Sequence, residues 1–256
     1  MRLTRFYKKY VKGQLVHKLL TYSYLFLFEG LARVVGRNNA KNFLRHSSKL
    51  AFMPMRLKLK NGLVINHFLE SYGLLIELIY MDEYEIENIP DGIIIDVGAN
   101  IGLFSLLCAK GKKVYAFEPE KKNFKMLITN IKENKLVDVF PSKIALSKSK
   151  GRTRLFIHGS ATHSLYRQNK DDTFENVETA TLDSIFLPQL VERISLLKID
   201  VEGAELDVLE GCKQLLKKTD NIILEKVSSI PEDKILKLLA GFKLVKKKGA
   251  LYFFSR

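Results

Sequence analysis

A regular alternation of two kinds of segment begins after residue 92, and it constrains the fold more than any other feature of the sequence. Short apolar stretches, typical of buried strands, alternate with longer amphipathic stretches, typical of helices. Strands that are apolar along their whole length need cover on both faces, so the alternation predicts an α/β domain with a mostly parallel central sheet flanked by helices. The predicted strands are 93–97, 113–117, 137–140, 194–199 and 221–224, the predicted helices are 103–110, 120–134, 204–216 and 232–239, and a closing pair of strands is expected at 243–246 and 251–254.

Residues 152–181 interrupt this alternation. Two further strand-like stretches, 153–157 and 177–180, flank a polar loop that contains His158 and His163. We expect this insertion to shape the substrate side of the domain. Its histidines are either bases close to the substrate or ordinary solvated loop residues.

The basic residues are concentrated at the N-terminal end of the chain, whose formal net charge is +14. Residues 1–60 contain fourteen Lys and Arg but one acidic residue, Glu29, whereas the remaining residues contain 28 basic and 27 acidic side chains. The body that carries the chemistry is therefore nearly neutral, and the excess charge belongs to an N-terminal appendage.

These patterns divide the chain into three parts. Residues 1–50 are predicted to form a basic, amphipathic helical extension with interleaved Phe and Tyr. Residues 51–90 form a lead-in segment with a hairpin signal at Asn61-Gly62. The catalytic domain is then expected to occupy residues 91–256.

The cysteines and the hydropathy pattern favour a cytoplasmic protein. Cys108 and Cys212 are the only cysteines, and neither belongs to a CxxC pair or a metal-binding cluster, which fits a reducing compartment. The longest N-terminal apolar run, 19–28, is shorter than the roughly 20 residues of a membrane-spanning helix. No small-residue cleavage pattern follows this run, so a secretory signal is not expected either.

The most informative string is Ile-Asp-Val-Gly-Ala-Asn-Ile-Gly at 95–102, an apolar strand that leads into a glycine turn and a helix. Gly98 and Gly102 let the backbone approach a ligand closely, and the following helix presents free N–H groups. Dinucleotide-binding folds place GxGxxG here, around a pyrophosphate. The acid before the first glycine, Asp96, repels a pyrophosphate but suits the cationic amino-acid end of S-adenosylmethionine, directly or through water. Asn100 is expected to hold the turn or the donor's carboxylate, or to be an ordinary left-handed turn residue.

A second acid, Glu118, follows the predicted strand 113–117 and so lies at the carboxyl edge of the sheet, where open α/β sheets bind ligands. A carboxylate at this place can accept hydrogen bonds from both hydroxyls of a ribose. The alternative is a helix N-cap for Glu118 and a plain tight turn for the glycines. The predicted cofactor-binding residues are Asp96, Gly98, Asn100, Gly102 and Glu118.

A third string, Leu-Lys-Ile-Asp-Val-Glu-Gly-Ala-Glu at 197–205, again takes a strand into a glycine turn and a helix. Alternate residues of a strand face one side, so Lys198, Asp200 and Glu202 are candidates for the catalytic side of the sheet. One carboxylate would orient or deprotonate an acceptor hydroxyl. The alternative is a Lys–Glu ion pair with a helix-capping acid. Glu225, at the end of the fifth strand, either lines the acceptor pocket or belongs to a surface pair.

Five motifs resemble, in order and spacing, the successive motifs of FkbM-type methyltransferases. The resemblance implies a Rossmann-like class I methyltransferase fold, S-adenosylmethionine as the cofactor, and O-methylation of a sugar, glycan or other small hydroxylated metabolite. It leaves Asp200 and Glu202 as two candidates for the general base. The motifs lie at 96–102, 117–119, 145–147 before Gly151, 181–183 and 197–205.

Other functions remain open at this point. An RNA methyltransferase would use the basic arm and a Lys198, Asp200 and Glu225 acceptor site, and a nonenzymatic binding module would keep the fold alone. An NAD dehydrogenase lacks the third glycine. Asp200 and Glu202 offer two oxygen ligands for a hard cation, but we predict metal-independent transfer.

The role of residues 1–50 also has two interpretations. Basic amphipathic helices with interleaved aromatics suit an anionic membrane surface, which would place a cytoplasmic enzyme at the inner face of the membrane, and they suit it at least as well as RNA. Alternatively, the extension packs on the catalytic domain or on a second subunit.

Overall fold

The computed structural model describes residues 54–68, 71–75, 78–79, 82–157, 163–166, 173–188, 193–227 and 229–256. The chain divides into two compact units, one of residues 1–83 with 159–161 and one of residues 84–158 with 162–256. The predicted extension at 1–50 and His158 lie outside the described residues, so the proposed three-part division stays a prediction. None of the helices in the described ranges is long and apolar enough to cross a bilayer.

The first unit contains the predicted hairpin. Strands β1 (Pro54–Lys58) and β2 (Val64–Phe68) pair in antiparallel fashion, and the short helix α1 (Tyr72–Leu75) follows. Asn61 closes the turn, because its Oδ1 accepts a hydrogen bond from the backbone N–H of Leu63 at 3.1 Å. The Asn-Gly signal therefore located the hairpin correctly.

The second unit begins with a single 3-10 turn at Ile86–Asn88 and contains all remaining elements. In chain order these are β3 (Ile93–Val97), α2 (Leu103–Cys108), β4 (Lys113–Phe117), α3 (Lys121–Glu133), β5 (Val139–Ser142), β6 (Ala145–Leu146), β7 (Gly151–Ile157), β8 (His163–Ser164), β9 (Thr173–Ala180), α4 (Leu182–Phe186), β10 (Ile194–Ile199), α5 (Glu205–Glu210), α6 (Lys213–Leu216), β11 (Thr219–Glu225), α7 (Glu232–Leu238), β12 (Lys243–Lys248) and β13 (Leu251–Ser255).

Seven of these strands form the central sheet, in the order β12-β13-β11-β10-β3-β4-β5. All pairs are parallel except the two made by β13, which runs antiparallel to β11 and β12. The central strands β3 and β10 are buried along their whole length, as their apolar sequences require. The predicted Rossmann-like α/β fold, with a mostly parallel sheet and flanking helices, is confirmed.

The interruption predicted at 152–181 is a separate four-stranded sheet, in the order β6-β9-β7-β8. Its long antiparallel pair, β7 and β9, matches the two strand-like stretches of the sequence. The short strand β8 contacts the turn after β10, because Ser164 Oγ donates a hydrogen bond to the Glu202 carbonyl at 2.8 Å. The insertion therefore lies beside the turn that follows β10.

The helix predicted over 204–216 is wrong, since the chain forms two short helices with a break at Gly211. A Cβ at this position would lie 2.2 Å from the Ser147 carbonyl oxygen, so only glycine fits there. The N-terminus of the second helix, α6, is capped by a side chain from another helix. The Asp183 carboxylate accepts hydrogen bonds from the backbone N–H groups of Gln214 and Leu215, at 3.0 and 2.8 Å. Helix α4, which carries Asp183, was not predicted.

Candidate functional site

The glycine turn after β3 lies against the backbone that follows β10. Gly98 and Ala99 donate their N–H groups to the Phe117 carbonyl at 3.0 and 2.9 Å, and the Asp200 N–H donates to the Val97 carbonyl at 3.0 Å. Gly98 has a φ of +80°, and a Cβ on it would lie 1.8 Å from the Asp200 carbonyl oxygen. The first glycine of the motif is thus required by both backbone conformation and space.

Asn100 and Gly102 shape the second half of the turn. Asn100 adopts a left-handed conformation with a φ of 53°, and its Oδ1 accepts from the Ile101 N–H at 2.7 Å. Its own N–H donates to Glu118 Oε2 at 2.8 Å. Gly102 has a φ of +88°, and a Cβ on it would lie 2.4 Å from Leu127 Cδ1. Asn100 is therefore a left-handed turn residue, as one of the two predictions for it stated. A contact between Asn100 and a ligand stays a prediction.

Glu118 is a buried carboxyl group fixed by two backbone donors at the carboxyl edge of the sheet. Its Oε2 accepts from Asn100, and its Oε1 accepts from the Glu120 N–H at 2.8 Å. Burial raises the pKa of Glu118 to about 8, against the opposing effect of these two N–H groups. The alternative role of helix N-cap is wrong, because Glu120 occupies that position and accepts from the Asn123 N–H at 2.6 Å.

Asp96 lies beneath the turn and is fully buried. Its Oδ2 accepts from Ser105 Oγ at 2.6 Å, and its Oδ1 lies 3.1 Å from Lys198 Nζ. Lys198 stands directly beside Asp96 in the parallel register of β3 and β10, and it donates to the Gly98 carbonyl at 2.9 Å. Both carboxylate oxygens face groups inside the protein, so Asp96 fixes the turn through Lys198; its contact with the cofactor, directly or through water, stays a prediction.

Lys198 is a buried cation held between carboxylates. Burial opposes its charge, but Asp96 and Asp200 outweigh this effect and hold the pKa of the Lys198 ammonium above its usual range. The nitrogen lies 5.9 and 5.7 Å from the ring centroids of Tyr84 and Phe104. The alternative pairing of Lys198 with Glu202 is wrong, since its carboxylate partners are Asp96 and Asp200. Lys198 remains charged, which suits positioning rather than proton transfer.

Asp200 follows β10 and lies partly exposed at the sheet edge, with 22% of its side chain accessible. Its Oδ2 is 3.4 Å from Lys198 Nζ and 3.3 Å from the Tyr84 hydroxyl. The same hydroxyl lies 2.9 Å from Glu225 Oε2. The structure thus brings Asp200 and Glu225 together, as the prediction of an acceptor pocket requires, and adds Tyr84, which the sequence analysis missed.

Glu202 does not continue the strand. β10 ends at Ile199, and Glu202 has a left-handed φ of 51°, so the alternation that placed it on the face of Lys198 and Asp200 ends before it. The neighbouring Glu205 was missed: it is fully buried, its Oε1 accepts from the Gly203 N–H at 3.0 Å, and burial raises its pKa to about 7. The carboxyl of Glu205 fixes the turn from inside.

The other candidates from the sequence lie as follows. His163 forms part of β8 and pairs with Ile157, at a half-buried position. Cys108 and Cys212 are free and buried. Within the described ranges, no group of three or more His, Cys, Asp or Glu side chains is arranged to hold a metal ion.

The model of the methyltransferase FkbM domain matches residues 96–244, more than half of the chain. The chain belongs to the FkbM methyltransferase family. The match covers all five sequence motifs, and it confirms the resemblance on which they were based. Tyr84 lies upstream of the matched FkbM domain.

Curated relatives of this FkbM-family chain are methyltransferases of several kinds. Hexuronic acid methyltransferase AglP of Haloferax volcanii is 29% identical over 154 residues, which cover 60% of this chain and 64% of AglP. Methyltransferase sdnD of Sordaria araneosa is 35% identical over 164 residues, covering 50% and 63% of the two chains. The 2-O-methyltransferase NoeI of Sinorhizobium fredii is 30% identical over 183 residues, covering 61% and 74%. The chain thus spans less than two thirds of AglP and of sdnD.

Among solved structures, the methyltransferase FkbM of Methylobacillus flagellatus KT is similar, with a TM-score of 0.45 and 16% identity over 66% of this chain and 45% of that one.

Proposed function

We propose that this protein is an S-adenosylmethionine-dependent methyltransferase that transfers a methyl group to a hydroxyl of a sugar, a glycan or a related small metabolite. One observation carries the proposal: the Gly98 turn, the Glu118 carboxyl and the Asp200 carboxylate meet at the carboxyl edge of β3, β4 and β10. Membership of the FkbM family supports the reaction. The names of AglP and NoeI, which refer to a hexuronic acid and to 2-O-methylation, support the class of acceptor.

The residues at this edge fit the cofactor. Glu118 has each oxygen fixed by one backbone donor, and in its ionised form a second lone pair on each oxygen remains for the hydroxyls of a ribose, whose hydrogen bonds would favour that form. Asp96 and Asp200 flank one cation, Lys198, so the edge carries excess negative charge that suits a sulfonium. S-adenosylmethionine supplies an electrophilic methyl group. Gly98, Asn100 and Gly102 would hold its amino-acid end through the backbone of the turn.

Asp200 is the proposed general base. Its two contacts with described side chains, from Lys198 and Tyr84, are both made by Oδ2, which leaves Oδ1 for the proton of an acceptor hydroxyl. Asp200 would accept this proton while the acceptor oxygen takes the methyl group that S-adenosylmethionine would supply, with the neutral thioether of S-adenosylhomocysteine as the leaving group. Glu202 would contact the acceptor from the adjoining turn.

Calorimetric titration with S-adenosylmethionine and with NAD tests the cofactor. We expect micromolar affinity for S-adenosylmethionine, no binding of NAD, and weaker binding in a Glu118→Ala variant. Binding of NAD alone overturns the assignment, and binding of neither favours a nonenzymatic module. Unchanged affinity in Glu118→Ala removes Glu118 from the site.

Tritium transfer from labelled S-adenosylmethionine tests the acceptor, with glycans, uronic acids and total RNA offered side by side. Asp200→Asn should lose transfer by roughly 100-fold or more while it keeps cofactor affinity, as expected for a general base. The matched control is Asp220→Asn, because Asp220 lies on β11 in an exposed pair with Arg193. Methylation of RNA rather than sugars would replace the proposed acceptor class.

Residues 1–50 are proposed to bind the anionic inner surface of a membrane, where a cytoplasmic enzyme would meet lipid-linked glycans. Their sequence carries eleven Lys and Arg against Glu29 alone. Each Lys or Arg close to an anionic surface contributes about 1 kcal/mol, so a few of them suffice for reversible binding.

A further inference from the structure

Tyr84 joins the candidate site from outside the matched family domain. Its side chain is 5% exposed, and its ring packs against Phe104 with the centroids 5.4 Å apart. The Lys198 ammonium lies 5.9 Å from the same ring centroid, within the distance of a cation–π contact. The Tyr84 ring therefore covers the Lys198 ammonium. This position places the Tyr84 hydroxyl next to the carboxylates of Asp200 and Glu225.

The Tyr84 hydroxyl has one proton and two carboxylate acceptors. Its oxygen lies 2.9 Å from Glu225 Oε2 and 3.3 Å from Asp200 Oδ2. The proton is therefore shared in a three-centre hydrogen bond, with the shorter and stronger branch to Glu225 and the longer branch to Asp200. Asp200 Oδ2 is then confined between the Tyr84 oxygen and Lys198 Nζ, which lies 3.4 Å away.

We propose that Tyr84 is a positioning residue that, held by Glu225, turns the Asp200 carboxylate so that Oδ1 faces the acceptor hydroxyl. The inference rests on the proposed function and deepens it, because it assigns the residues that orient the general base. Without the Tyr84 hydroxyl, Lys198 is the one described side chain that still restrains Oδ2, and the carboxylate can rotate about its Cβ–Cγ bond. A misplacement of about 1 Å at the reacting atoms can lower the rate by roughly 100-fold.

The test compares wild type, Tyr84→Phe, Asp200→Asn and the double variant, with p-nitrophenyl β-D-glucuronide as the acceptor and tritiated S-adenosylmethionine. Tyr84→Phe keeps the ring and its packing, so we expect a fall in kcat of about tenfold or more, with KM and cofactor affinity within about twofold of wild type. In the Asp200→Asn background the same substitution should cost nothing further, because it acts through Asp200. Tyr252→Phe is the matched control, since it removes a Tyr–Glu hydrogen bond of 2.7 Å that strand β13 makes with Glu232.

A Tyr84→Phe variant that is as active as wild type, that changes KM alone, or that adds its full effect to Asp200→Asn overturns the inference. Wild type that binds no S-adenosylmethionine overturns the proposed function instead. If wild type binds the cofactor but leaves the glucuronide unmethylated, carbon-13 NMR of the tyrosine Cζ decides. The Tyr84 signal is assigned by its loss in Tyr84→Phe. Its chemical shift should then change in Glu225→Gln and also in Asp200→Asn. If either substitution leaves the chemical shift unchanged, the positioning role is refuted.

Discussion

Replacement of Lys198 by Met removes the buried cation that lies between the Asp96 and Asp200 carboxylates. Asp96 is fully buried, and in this variant it faces an apolar side chain in place of the ammonium, with Ser105 as its hydrogen-bond donor among the described residues. Removal of one partner of a buried ion pair costs about 3–5 kcal/mol, because the other charge is left without compensation. For a chain of this size, each kcal/mol lowers Tm by about 2–4 °C, which gives an expected fall of roughly 6–20 °C.

Chemical denaturation of four proteins measures this effect: wild type, Lys198→Met, Asp96→Asn and the double variant. The double variant carries no buried Asp96 charge, so Lys198→Met should cost less than about half as much in this background. Lys247→Met is the matched control, since Lys247 forms an exposed pair with Glu232 and its loss should hardly change the free energy of unfolding. A cost below about 1 kcal/mol for Lys198→Met, or strict additivity with Asp96→Asn, would refute the reasoning.

Three further results are expected. The pKa of Glu118 is raised to about 8 in the folded state. The stabilisation from the protonated Glu118 carboxyl is therefore complete below the unfolded-state pKa and is lost as the pH rises through about 8. Chemical denaturation between about pH 5 and pH 8.5 should show this loss of stability, and Glu118→Gln should abolish the pH dependence. Gly102→Ala should cost about 2–4 kcal/mol on denaturation, from backbone strain and contact with Leu127, against about 1–2 kcal/mol for Gly111→Ala, whose Cβ would meet open space. In flotation with anionic vesicles, full-length protein should bind, and a variant without residues 1–50 should not; equal binding would contradict the membrane proposal.

The core of the fold was predictable because its strands are continuous apolar runs. The strands at 93–97, 113–117 and 194–199 have the predicted bounds, because each of them is followed directly by a glycine or an acidic residue. The meeting of the glycine turn and Glu118 was predictable for the same reason, because a glycine turn after one strand and an acid after the next lie at one sheet edge whatever the details of packing.

Contacts between distant segments were not predictable. The sequence offered Glu202 as a partner for Lys198, but the parallel register of β10 and β3 places Asp96 beside it, more than 100 residues away. Gly211 breaks a helix because Ser147 lies against it, and no local signal shows this contact. Tyr84 lies in the lead-in segment, upstream of the five motifs, and its two carboxylate partners come from the carboxyl ends of β10 and β11, more than 100 residues away.

The absence of space for a methyl group between Gly98 and the Asp200 carbonyl has a consequence for protein engineering. The loop at 98–102, which would hold the donor, lies in close backbone contact with the loop at 200–203, which would hold the acceptor. A substitution that moves one loop is therefore expected to move the other. A library that varies residues 201–203 to change the acceptor will also change the affinity for the donor, and by thermodynamic reciprocity each ligand will alter binding of the other by the same factor. Donor affinity is therefore an inexpensive first screen for such a library, before any new acceptor is tried.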